Sequence, residues 1–159
     1  MEIILPDLCD AHGDAVTVLA PLFRNFGARR AFGGAISTIK CFEDNSLVAD
    51  AVEEGGAGRV WGGDGGASDR CALLGDNLAR KAASNGWAGI VVYGAVRDVQ
   101  DFPEIDLGIQ ALFALPRKSV KRGLGDRDVA LSFAGVTLVP GAYLYADDNG
   151  IIIASTALL

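Results

Sequence analysis

Glycine sets the terms on which this chain can fold. It fills 21 of 159 positions, in small clusters between apolar runs: Gly33-Gly34, Gly55-Gly56, Gly62-Gly63 with Gly65-Gly66, and Gly123 with Gly125. Such clusters punctuate regular structure, so the runs between them are held to the length of short strands and helices. No long polar or Pro/Ser-rich stretch separates two halves, so the clusters read as turns inside one domain over residues 1–159. There is no internal repeat. A chain of 16.5 kDa buries roughly two-thirds of its extended surface, enough for a core without staples.

Half of the residues are apolar and 21% are charged, which excludes intrinsic disorder. The net charge of −6 argues against direct nucleic-acid binding and against docking on anionic membranes. Cys9, Cys41 and Cys71 form no CxxC pair, so no zinc ribbon or thioredoxin-type site is supported, and a reducing compartment is the simplest reading. The start, Met1-Glu2-Ile3-Ile4-Leu5-Pro6, lacks the pattern of a secretory signal. The longest apolar run, Trp87 to Val96, stops at Arg97, at half the length of a membrane helix. A cytoplasmic protein is expected.

The residues 35–42 alternate loosely and predict a strand. Ser46 is positioned to cap a helix with Leu47, Val48, Ala51 and Val52 on one face, ended by Gly55-Gly56. Arg59-Val60-Trp61 reads as a short strand. A second helix is predicted from about Leu73 to Ser84, with Leu74, Leu78 and Ala82 at spacing four and Asn85-Gly86 as its stop. Gly89–Tyr93 reads as a buried strand. After Pro103 the chain reads mostly as strands: 109–115, 129–133, 136–139, 143–146 and 151–154, the last two joined by an Asp147-Asp148-Asn149-Gly150 hairpin turn. The class is α/β, with two layers of strands plus helices.

The chemistry narrows by elimination. His12 is the sole histidine and stands in a polar stretch, so neither a Ser-His-Asp device nor a multi-histidine metal site has support. Gly63-Asp64-Gly65-Gly66-Ala67-Ser68 lacks the last glycine of a dinucleotide fingerprint and reads as a tight turn. Leu73-Leu74-Gly75-Asp76-Asn77-Leu78 sits where a glycine-rich loop enters a helix. It reads either as an ordinary helix start or as a site for a carboxylate or phosphate on free amides. Tyr93–Asp101 ends a buried strand in a small-residue turn and delivers Arg97-Asp98, with Asp101 three residues on. That pair is either a solvated ion pair or a functional one. A guanidinium can steady an enolate oxygen, and an aspartate suits Mg²⁺ or Mn²⁺, which need few protein ligands.

Taken together, Gly62-Gly63-Asp64-Gly65-Gly66, Ala72-Leu73-Leu74-Gly75-Asp76 and Gly94-Ala95-Val96-Arg97-Asp98 resemble the RraA-like family. Further matching stretches are Asp7–Asp10, Asn25-Phe26-Gly27, Lys40–Asn45, Asp106-Leu107-Gly108 and Tyr145-Ala146-Asp147. That family holds regulators of ribonuclease E and metal-dependent 4-hydroxy-4-methyl-2-oxoglutarate aldolases. The resemblance implies a swivelling β/β/α fold and a homotrimer or dimer of trimers. It implies a pyruvyl carboxylate held by the amides of Gly75, Asp76, Asn77 and Leu78, a carbonyl contacted by Arg97, and a divalent metal cation (Mg or Mn) anchored by Asp98. The implied activity is aldol cleavage of a small 2-oxo acid substrate, with oxaloacetate decarboxylation through the same enolate. Tyr93 stands where many of these aldolases carry an acid, and the chain resembles the short branch best known for binding ribonuclease E. The alternative is therefore a protein regulator without catalysis of its own.

Overall fold

A computed structural model describes residues 2–159, and in it the apolar runs become strands of one large sheet. In chain order the elements are α1 (Leu5–His12), β1 (Val16–Val18), β2 (Arg24–Asn25), β3 (Phe32–Lys40), α2 (Ser46–Val52), β4 (Val60–Asp64), β5 (Ala72–Leu74), α3 (Asp76–Ser84), β6 (Gly89–Val96), β7 (Gly108–Ala114), β8 (Asp126–Arg127), β9 (Leu131–Phe133), β10 (Val136–Leu138), β11 (Tyr143–Asp147) and β12 (Gly150–Ala154). The strand order is β1-β12-β11-β3-β4-β6-β7-β2, with β5 added to β6 and β8 to β3, while β9 and β10 form a separate hairpin. The pairs β3–β4, β4–β6, β6–β7 and β5–β6 are parallel, and β11, β12, β1 and β2 extend the sheet antiparallel. The α/β class is as the sequence predicts.

Alternation along the central strands builds two cores. Ile39, Trp61, Ile90 and Val92 face α2 and α3, where they pack with Val48, Ala51, Ala79 and Ala82. Ile36, Val60 and Val91 point the other way, onto Leu131, Phe133 and Leu138 of the β9–β10 hairpin and onto Leu144 of β11. A parallel sheet covered on both faces explains the unbroken apolar run of β6. On the outer side of the β11–β12 ribbon, Leu5 and Leu8 of α1 cover Tyr145 and Ile152.

The structure corrects the expected elements at several points. The second helix does not begin at Leu73: Leu73 and Leu74 belong to β5, paired to the end of β6, and α3 starts at Asp76 after the N-cap Gly75. Their spacing to Leu78 and Ala82 mimics a helix face, but sheet pairing prevails. Ser46 is the first helical residue of α2 rather than its cap, and its N–H and Oγ–H both donate to Asp44 Oδ1 (2.9 and 2.6 Å). In the β11–β12 turn Asp147 pairs with Gly150, so Asp148-Asn149 are the central residues and Gly150 alone takes a positive φ of 147°. The segment α1 was missed. Its N-terminal turn carries Pro6, which suits a first turn, and its first N–H, that of Leu5, donates to buried Asp147 Oδ2 at 2.8 Å.

Candidate functional site

The parallel strands end along one edge of the sheet, where ligands of open α/β folds are usually bound. From β3 the chain passes into Cys41–Asn45, from β5 into Gly75 and α3, from β6 into Arg97-Asp98, and from β7 into the segment 115–125. Between them lies a cleft of about 200 Å³ lined by Gly75, Asp76, Asn77, Leu78, Arg97 and Asp98, together with Asn45, Lys118, Ser119 and Lys121. All six residues nominated from sequence therefore meet at one place.

The helix start in this cleft has no side-chain cap. The first intrahelical bond of α3 runs from Ala79 N–H to Gly75 O at 3.1 Å, which leaves the amides of Asp76, Asn77 and Leu78 without helical acceptors. Asp76 N–H reaches Asp98 Oδ2 at 3.3 Å, so one carboxylate oxygen lies against the edge of the helix end and the amides of Asn77 and Leu78 are left for another acceptor. Leu78 contributes only its backbone here, since its side chain packs toward the core.

Arg97 and Asp98 lie just past β6. Arg97 N–H donates to Leu74 O at 2.9 Å, fixing the end of β6 to β5. Asp98 takes a left-handed backbone (φ 60°), tolerated by aspartate, and Asp101 N–H closes a turn on Asp98 O at 2.9 Å. This turn lets both side chains reach the same cleft instead of opposite faces of a strand. Arg97 Nε stands 3.9 Å from Asp98 Oδ2, and both side chains keep about a third of their surface exposed. The pair also borders a more open depression beside Val99 and Pro116. Asp101 lines neither, His12 closes α1 away from the cleft, and Tyr93 stacks on Phe133 (4.8 Å between centroids) on the other face of the sheet.

A divalent cation is implied by the family resemblance, and the donor set can be tested against it. Among the described residues no three His, Cys, Asp or Glu side chains cluster as a metal cage. Asp98 offers one hard carboxylate at the rim of a polar cleft. That arrangement fits Mg²⁺ or Mn²⁺, which hold most of their water shell and are bound through one or two carboxylates.

Asn45, Lys118, Ser119 and Lys121 escaped the sequence reading. The loop that carries the last three follows no local pattern; Ala72 N–H donates to Arg117 O at 2.7 Å, and Arg122 and Leu124 donate their amides to Asp44 Oδ2 at 2.8 and 3.1 Å. Asp44 is 2% exposed. Burial would push its carboxyl up, but bonds from the Ser46 hydroxyl and from the amides of Ser46, Leu124 and Arg122 outweigh that and hold its pKa at about 2. The single available signal was Asp44-Asn45 itself, a polar pair placed between a strand end and a helix start.

The family model described as RraA-like (Aldolase/RraA) matches residues 5–153. This chain belongs to the RraA-like family. Relatives in Pseudomonas fluorescens (strain Pf0-1) and Pseudomonas aeruginosa (strain UCBPP-PA14) are each 58% identical, over 155 and 158 residues. The matches cover 98% and 99% of this chain and 95% and 98% of those proteins, and both relatives are named as candidate 4-hydroxy-4-methyl-2-oxoglutarate aldolases. Among solved structures, the RNA-processing inhibitor RraA from Thermus thermophilis is 45% identical, with a TM-score of 0.95 over 100% of this chain and 96% of that one. A protein described as an S-adenosylmethionine:2-dimethylmenaquinone methyltransferase from Geobacillus kaustophilus is 42% identical, with a TM-score of 0.96 over 98% and 97%. The resemblance carried by the Gly62–Gly66, Ala72–Asp76 and Gly94–Asp98 segments is thus confirmed for this RraA-like chain. No helix among the described residues is long and apolar enough to cross a membrane.

Proposed function

We propose that this chain is a divalent-metal-dependent aldolase that cleaves 4-hydroxy-4-methyl-2-oxoglutarate to two pyruvates. The observation that carries the reading is the convergence of the Gly75–Leu78 amides with Arg97 and Asp98 on one small cleft. The substrate's 2-oxo acid end places its carboxylate on the amides of the α3 start. The C4 hydroxyl loses its proton as the C3–C4 bond breaks, so C4 becomes the carbonyl of one pyruvate. The bonding pair moves onto C3 and the C2 oxygen as an enolate, which the Arg97 guanidinium steadies. Protonation at C3 gives the second pyruvate. Asp98 would anchor the cation, whose contribution is Lewis-acid stabilisation of the charge developing on the 2-oxo group. Oxaloacetate decarboxylation reaches the same enolate, with CO₂ leaving in place of the carbonyl product, and is proposed as a side activity.

The size of the cleft favours a small acid. At about 200 Å³ it falls below the roughly 300–1,000 Å³ of pockets that enclose larger ligands such as a sulfonium nucleoside methyl donor. The test is pyruvate release from both 2-oxo diacids with Mg²⁺ or Mn²⁺, with EDTA, and with Asp98→Ala. Turnover that needs both the metal and Asp98 supports the reading; equal turnover by Asp98→Ala overturns the metal assignment.

A second reading draws on the likeness to the Thermus RNA-processing inhibitor and on the net charge of −6. In that reading the chain binds ribonuclease E, competing for basic RNA-binding segments. Absence of binding in a low-salt pull-down removes it. We also propose a homotrimer or a dimer of trimers, checked by light scattering.

A further inference from the structure

Gln110 is the one polar side chain of β7, and it is only 2% exposed, at a position where burial ordinarily selects an apolar residue. Its neighbours Ile109 and Ala111 face α2 and α3. Gln110 therefore shares the opposite face with Val91, its partner on β6, and with Asn25, its partner on β2. There Gln110 and Asn25 meet the Asp147-Asp148 turn around a cavity of about 400 Å³. No residue that lines it also lines the cleft beside Arg97 and Asp98. We propose that this cavity is a second binding site, for a small organic ammonium ion carried on a hydrocarbon stem.

Two amides define what the cavity asks for. Gln110 Nε2 donates to Asp147 O at 3.2 Å, and Asn25 Nδ2 donates to Asp148 Oδ1 at 3.2 Å. A carbonyl and a carboxylate only accept, so both amide nitrogens are fixed and both amide oxygens turn the other way. Among the described residues no donor reaches Gln110 Oε1 or Asn25 Oδ1. An acceptor on a side chain as buried as Gln110 costs free energy until a donor meets it. The occupant must therefore donate.

The charge around these oxygens is negative. None of the residues lining the cavity is Lys, Arg or His. Asp148 is balanced by Arg30 at 2.8 Å on the exposed side. Asp147 is 8% exposed and accepts from Leu5 N–H, Asn149 N–H and Asn149 Nδ2. Among the described residues it pairs with no cation. A buried carboxylate held by neutral donors alone gains from a cation beside it. An ammonium brings that charge together with three N–H groups for the amide oxygens and the carboxylate. A bare metal ion is poorly served, since no three His, Cys, Asp or Glu side chains gather among the described residues. Leu19, Pro21 and Phe23 supply an apolar wall for a hydrocarbon stem, and the volume lies in the range of pockets for small organic ligands.

The test is titration calorimetry of the full chain with three probes: hexylammonium chloride, 1-hexanol, which keeps the stem and loses the charge, and calcium chloride. Hexylammonium is expected to bind saturably, about tenfold or more tighter than 1-hexanol. Gln110→Leu keeps the volume and removes the acceptor, so it should weaken hexylammonium by about tenfold and keep or strengthen 1-hexanol. Asp148→Asn lies on an exposed turn that folds without the charge, and should weaken hexylammonium by about fivefold while sparing 1-hexanol. Asp98→Ala, in the other cleft, should bind hexylammonium as the unsubstituted protein does. The site is overturned if hexylammonium does not saturate, if 1-hexanol binds as tightly, or if either variant at the cavity, once shown to be folded by circular dichroism, binds hexylammonium unchanged. Loss of binding in Asp98→Ala also overturns it, by placing the ammonium in the other cleft. So does calcium that displaces hexylammonium, which would make the cavity a metal site.

Discussion

Asp98 lies so close over Gly75 that a Cβ at position 75 would stand 2.6 Å from Asp98 Oδ2. Gly75 itself has an ordinary extended backbone (φ −125°), so its value here is the space it leaves, not its freedom to turn. Gly75→Ala is therefore expected to fold, with stability changed by about 1 kcal/mol or less. It should push the Asp98 carboxylate off the α3 amide and lower metal-dependent pyruvate release by about tenfold or more. Circular dichroism and the pyruvate assay on one preparation check both halves.

Asp98 carries two separable properties, a left-handed backbone and a charge. Asparagine takes φ 60° at lower cost than alanine, so Asp98→Asn should be more stable than Asp98→Ala by about 1 kcal/mol in urea unfolding. Both remove the anionic oxygen. If Asp98 anchors the cation, both lose Mg²⁺-dependent turnover by about 100-fold, whatever their stability.

These two residues also mark what was legible in the sequence. Arg97-Asp98 stood out because a continuous apolar strand ended on them, and the Gly75–Leu78 helix start because glycine precedes an amphipathic run. Leu73-Leu74 misled, since a three-residue strand is too short to show its own period while the neighbouring helix lends it one. The segment 115–125 showed little beyond the Gly123 and Gly125 turn signal: its shape comes from Asp44, about 80 residues earlier, through the amides of Arg122 and Leu124. Contacts made by backbone N–H groups leave no trace in residue type, so Ser119 and Lys121 could be placed only by the structure.

Asp44 predicts an acid-sensitive step. Its folded pKa of about 2 lies below its ordinary value of 3.8, so the folded state prefers the charged form. The stability this provides is complete above pH about 4 and is lost as pH falls from 4 toward 2. Asp44→Asn cannot offer the same charged acceptor to four donors and should be destabilised by about 1–3 kcal/mol at pH 7. Urea midpoints between pH 2 and pH 6 should converge for the two proteins at the acid end, because protonation removes in one what substitution removed in the other.

The thiols offer a check on burial at the site edge. Burial, followed by repulsion from Asp44 and Asp64, pushes Cys41 up to about 12. Burial also raises Cys71, with Glu43 adding to the effect and Arg70 opposing it. Since only a thiolate attacks a disulfide reagent, neither should react at neutral pH in the folded chain. Cys9, half-buried on α1, is the remaining free thiol. Titration with an aromatic disulfide at pH 7.5 should therefore show one fast thiol, abolished by Cys9→Ser, and three after denaturation. A second fast thiol that disappears in Cys41→Ser would mean that the segment between β3 and α2 opens in solution, and with it the clamp that Asp44 holds on the cleft.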